Sequence, residues 1–119
     1  MARWGAGYIG LSLPAPMVAP AFAAARAAWA EAERAGSPRL IAIAYFALGG
    51  TGQGRANVRD YYSIAGDELA GHVSDGVAAG PAQVKETVAA FADVGADELI
   101  LNPTVGDLDE IDRLADIVL

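Results

Sequence analysis

An α/β fold built on a parallel sheet is what this sequence predicts, on three observations. First, three short apolar segments, Tyr8–Leu13, Leu40–Leu48 and Glu98–Leu101, are separated by stretches with helical periodicity. Second, Leu40–Leu48 reads Leu-Ile-Ala-Ile-Ala-Tyr-Phe-Ala-Leu without polar alternation, as expected of a parallel strand covered on both faces. Third, the 119 residues are 54% apolar and 19% charged. That is enough for one domain over residues 1–119, and too apolar for a disordered tail.

The helices follow from spacing and end signals. Over Pro16–Ala35, the residues Val18, Phe22, Ala25, Trp29 and Ala32 fall on one face, and Gly36-Ser37-Pro38 stops the helix. Val58–Leu69 places Tyr61, Tyr62, Ala65 and Leu69 together. Pro81–Val94 opens on proline, ends at Gly95 and turns Val84, Val88, Phe91 and Ala92 inward. The last helix starts at Asp107, with Glu110 three residues on in a capping-box arrangement, and its apolar face is Leu108, Ile111, Leu114, Ala115 and Val118. Strands alternating with helices imply parallel pairing through right-handed crossovers.

Charge and composition exclude several functions. A formal charge of −7 repels a phosphate backbone, so nucleic acid is not an expected partner. There is no cysteine, which removes disulfides, thiolate catalysis and zinc–thiolate sites, and the single histidine, His72, cannot form a His–His pair. The longest charge-free apolar run, Leu40–Gly50, is far short of the ~20 residues that span a bilayer. No long apolar core follows Arg3 before Pro14, so the chain reads as cytoplasmic, with no membrane partner.

Three strand–helix units do not close a barrel, which needs eight strands and ~250 residues. An open sheet leaves bare edges that invite another chain. Ala2-Arg3-Trp4-Gly5 reads like the end of a helix whose start is missing. The expectation is a homo-oligomer, or a companion chain supplying the missing strands.

Four segments, in order, carry a family resemblance. Ala2-Arg3-Trp4-Gly5-Ala6-Gly7-Tyr8-Ile9 is similar to the A-R-x-G-D-G-W segment of the luciferase-like flavin-dependent monooxygenases, with Ala6 in place of the Asp. Pro38-Arg39-Leu40 running into Ala44-Tyr45-Phe46-Ala47-Leu48-Gly49 resembles their next barrel strand. Tyr61-Tyr62 followed by Gly66 resembles their YY-x-x-x-G helix. Gly80-Pro81 to Val84, Phe91, Gly95-Ala96-Asp97-Glu98-Leu99 and Leu101-Asn102-Pro103-Thr104 resemble their final strand and its lead-in helix.

The resemblance implies the C-terminal part of a TIM barrel, about three βα units. It also implies a flavin- or F420-dependent oxidoreductase of monooxygenase type, with FMN or F420 as cofactor. The family's phosphate-gripping turn and its N-terminal half lie upstream of the matching segment. The chain is therefore expected to be inactive alone, or to be a non-catalytic oligomerising or ligand-binding module of the same ancestry.

Candidate residues divide between these readings. Gly49-Gly50-Thr51-Gly52-Gln53-Gly54 follows a strand and precedes a helix, so its backbone N–H groups suit a phosphate, but no Lys follows as in a P-loop, the spacing does not fit G-x-G-x-x-G, and a flexible βα loop is the preferred reading. Arg55 and Arg59 either meet an anion or offset Asp60. Tyr45 and Asn102 lie near the C-terminal ends of their strands, where barrel enzymes place working groups; the alternatives are a core aromatic and ordinary turn chemistry. With Gly49 and Gly50 they form the cofactor-binding set, and no catalytic residue or metal ligand is named. Asp97 and Glu98 face opposite sides and form no acid/base pair. His72 reads as a surface residue in a polar loop. Trp4 and Trp29 read as core. Asp107, Asp109, Glu110, Asp112 and Asp116 read as a helix start and its solvated face.

Overall fold

The computed structural model describes residues 1–119. β1 (Gly7–Ile9) leads into α1 (Ala15–Glu31), and β2 (Arg39–Ala47) into α2 (Thr51–Tyr62). A 3-10 turn (Ser63–Ala65), α3 (Asp67–Asp75), a two-residue β3 (Ala78–Ala79), α4 (Pro81–Asp93), β4 (Glu98–Pro103) and α5 (Asp109–Val118) complete the chain. All strand pairs are parallel, as the alternation of elements requires.

Every other strand pairs with β2. β4 runs along it from Ile41↔Glu98 to Phe46↔Pro103. β1 pairs with Arg39–Ile41 and β3 with Phe46–Ala47. Backbone groups of alternate residues point to opposite edges. The Leu40 and Phe46 carbonyls accept from Asp97 and Thr104 N–H on the β4 side, whereas the Ile41 and Ala47 carbonyls accept from Gly10 and Gly80 N–H. β1 and β3 therefore share one edge of β2, and β4 has the other to itself.

The two faces of the sheet differ. Leu40, Ala42, Ala44 and Phe46 are buried. The first three pack on Val18, Phe22 and Ala25 of α1 and Phe91 of α4, while Phe46 meets Val84, Leu114 and Ile117. The opposite face carries Ile41, Ile43 and Tyr45, all half-buried, with Ile9 54% and Ile100 38% exposed. The unbroken apolar run of β2 predicts cover on both faces, but only one is fully covered. α1, α4 and α5 lie on the same side, and α2 and α3 reach only the C-terminal end, around Ala47, Val58, Val73 and Val77.

Size agrees with this one-sided layering. The radius of gyration is 15.4 Å, against about 13.5 Å for a compact domain of this length. The chain exposes 6973 Å², about 900 Å² more than a monomeric protein of its mass.

Several expected boundaries move for local reasons. β1 ends at Ile9 instead of Leu13, because the Leu13 N–H turns back to the Leu11 carbonyl at 2.8 Å ahead of Pro14. The helix expected over Val58–Leu69 is two helices, broken at Gly66, whose φ of +101° L side chains avoid. α5 begins at Asp109 and not Asp107, and its expected apolar face is largely bare, with Leu108 85% and Ile111 49% exposed. In α4, Val84 and Phe91 are buried but Val88 and Ala92 are exposed. Trp29 is core, its indole N–H donating to the Ala35 carbonyl, whereas Trp4 is 89% exposed.

The glycine-rich stretch after β2 is helix from Thr51 onward, not loop. Gly54 sits where α2 crosses Ala47 and Thr104, and a Cβ there would run into the Thr104 side chain. Thr104 cannot swing away cheaply, because it is buried and its hydroxyl donates to the Phe46 carbonyl at 3.1 Å. Gly54→Ala is expected to lower unfolding free energy by about 1–3 kcal/mol, read from the denaturant midpoint; an unchanged midpoint contradicts the close crossing.

Candidate functional site

Tyr45 and Asn102 are cross-strand partners at the C-terminal end of the sheet. They stand on the incompletely covered face, in register with one another. The Tyr45 hydroxyl lies 3.2 Å from that of Tyr62, and their rings meet edge to face at 6.2 Å. Tyr61 extends the group, with its ring 5.1 Å from Tyr62 and 74% of its surface exposed. A cavity of about 220 Å³ runs between Tyr45, Asn57, Val58, the Tyr61–Tyr62 pair and Thr104. It is smaller than the about 300 Å³ at which small-molecule sites begin, so it suits one ring or the edge of a larger group.

Tyr45 is a neutral hydrogen-bonding group here. Burial, then the Tyr62 hydroxyl and the neighbouring tyrosine charges, push its pKa up to about 12. It can donate a hydrogen bond or pack against a ring, but at neutral pH it does not act as a base.

The Gly49–Gly50 turn holds an anion already, and that anion is part of the protein. Glu110 is fully buried. Its Oε2 accepts from Leu48 N–H at 2.8 Å and its Oε1 from Gly49 N–H at 2.7 Å. Arg113 Nη1 lies 2.9 Å from the same Oε1 and also reaches Asp107. Burial pushes the Glu110 carboxyl up, but the Leu48 amide, Arg113 and the Gly49 amide outweigh it, and the net shift is downward. The turn between β2 and α2 thus binds a carboxylate where a cofactor phosphate is one expectation. A phosphate does not fit at Gly49, because its amide is spent and the buried glutamate would repel it.

Glu110 is the residue that spacing alone misplaces. Counted from Asp107 it reads as a helix-start carboxylate on a solvated face. In the fold the Asp107 side chain caps Asp109 N–H at 3.0 Å, and Glu110 turns inward. The Arg113 contact three residues on is equally compatible with a solvated face, and the amides that bury the carboxylate are 61 and 62 residues away.

The other candidates are dispersed. His72 lies in the last turn of α3, not in a loop, 3.9 Å from Glu68 one turn earlier. Asp97 and Glu98 diverge as adjacent strand residues must, Asp97 accepting from Leu40 N–H at 2.8 Å and Glu98 pairing with Arg39. Arg55 and Arg59 are exposed, and neither forms an ion pair with Asp60. No helix is long and apolar enough to cross a membrane.

No protein-family model, curated protein or solved structure matches this chain.

Removing the Glu110 carboxylate leaves two amides and a guanidinium without their shared partner. Glu110→Ala is expected to lose about 3 kcal/mol of stability, and Glu110→Gln less, since one amide oxygen can still accept. The sign with pH follows from the lowered carboxyl. Its contribution is full above the ordinary glutamate value of about 4.3 and is lost as pH falls through the lower folded value. Urea titrations between neutral pH and pH 3 are expected to show a steeper acid loss for the wild type than for Glu110→Gln; parallel curves contradict the assignment.

Proposed function

We propose that this chain forms the closing segment of a luciferase-like (β/α)₈ barrel, serving a flavin- or F420-dependent oxidoreductase. One observation carries the reading: an all-parallel sheet with α1, α4 and α5 on one side and, on the other, an apolar face that α2 and α3 cover only at its C-terminal end. An arc of a barrel has that form, since in a closed barrel the helices lie outside and the second face packs inside. The main strands follow the order β1, β2, β4, as successive barrel strands do.

Two further features support it. The unpaired outer edge of β4, the exposed Leu108 and the half-exposed Ile111 and Val118 of α5 are apolar surface that the next strand and helix of a ring would cover. The surface excess of about 900 Å² matches the about 800 Å² that each partner buries in a stable interface. Tyr45 and Asn102 are this chain's contribution to a ring-binding site at the C-terminal end, where barrel active sites form. The phosphate of FMN or F420 would be gripped outside Gly49 and Gly50.

The Glu110 carboxylate in the β2–α2 turn favours a second reading: an oligomerising or ligand-binding module of the same ancestry without the cofactor. Sedimentation velocity combined with fluorescence titration by FMN and by F420 separates the two. The barrel reading expects a species above the 12.2 kDa of one chain and saturable, micromolar quenching by that species. Association without quenching by either cofactor supports the module, and a stable monomer that binds neither overturns the barrel reading.

A further inference from the structure

We infer that the break in the β2 edge between β1 and β3 is a binding site for a small organic amine with an apolar body. Register pairs this edge only at its ends: β1 stops at Ile41 and β3 starts at Phe46. The Ile41 carbonyl takes Gly10 N–H at 2.9 Å and the Ala47 carbonyl takes Gly80 N–H at 3.0 Å. Between them, no strand pairs with the side of Ile43 that faces this edge. The chain leaves β1 through Ser12 and Pro14 into α1 and re-enters at β3 only after α3, so the two short strands stand apart.

A cleft of about 390 Å³ opens at this break, within the about 300–1,000 Å³ of small-molecule sites. Its floor is apolar, formed by the buried residues Ala44, Val77 and Phe91. Its charged lining consists of Asp75, at the end of α3, Glu86 on α4 and Arg55 on α2. None of these three charges has an ion-pair partner within 4.0 Å. Three different elements therefore bring two exposed carboxylates and one guanidinium, none of them ion-paired, around an apolar floor.

The charge balance selects the ligand. Two carboxylates outnumber one cation, and the net charge of −7 adds an attractive field for positive ligands. An ammonium group can donate to Asp75 and Glu86 while a hydrocarbon or single ring covers Phe91 and Ala44. An organic anion of the same shape meets two negative groups at the mouth. This site is separate from the tyrosine pocket on the other side of Tyr45, and it does not depend on a cofactor.

Two-dimensional amide NMR of the full chain, titrated with 2-phenylethylamine at pH 7 and with 3-phenylpropionate as its anionic match, tests the assignment. The amine is expected to shift the Tyr45, Val77 and Phe91 amides saturably, and the acid is not. Asp75→Asn combined with Glu86→Gln changes only exposed side chains, and is expected to weaken the amine by about tenfold with the spectrum otherwise preserved. No shifts with the amine, equal shifts with the acid, shifts confined to residues outside the cleft, or unchanged affinity in the double variant would each overturn it.

Discussion

β2 is the strand on which the rest of the molecule is assembled. It is nine residues long, against three, two and six for the others, and no other pair of strands touches. Strand alternation turns Leu40, Ala42, Ala44 and Phe46 to one face, where the two alanines let α1 and α4 approach the sheet closely. The same alternation leaves Ile41, Ile43 and Tyr45 on the other face, where little covers them. One strand thus sets the core, the incompletely covered face and the position of Tyr45 together.

The second organising contact is the Glu110 carboxylate. It ties the start of α5 to the amides at the end of β2 and so fixes the last helix against the sheet. A buried carboxylate is tolerated here because two N–H donors and a guanidinium satisfy it. The consequence reaches function: an electropositive turn at the C-terminal end of a central strand, suited in principle to a ligand phosphate, is used internally. What this end still offers a ligand is aromatic surface and neutral hydroxyl and amide groups.

The alternation of elements, the parallel pairing, the buried stripe of α1 and the cores of β2 and β4 were legible in the sequence, because they depend on local periodicity. Tyr45 and Asn102 were legible as strand-end residues, and their pairing follows from register. What escaped depends on distant partners or on missing ones. Glu110 looks solvated until the β2–α2 turn is placed over it. Gly54 looks like a loop residue until Thr104 is brought against it. Trp4 and Leu108 look like core, yet the structure places no layer over them. The two-residue β3 has no periodicity at all, and only the Ala47 carbonyl and its neighbours define it.

Native-state amide hydrogen exchange along β2 tests this arrangement most directly. The account predicts the strongest protection at Ala42, Ala44 and Phe46, whose N–H groups face β4, and exchange at Ile43 and Tyr45 faster by on the order of tenfold or more, since no strand accepts from their N–H groups. Equal protection at all five positions would mean that a continuous strand covers both edges, and would contradict an open arc organised on β2.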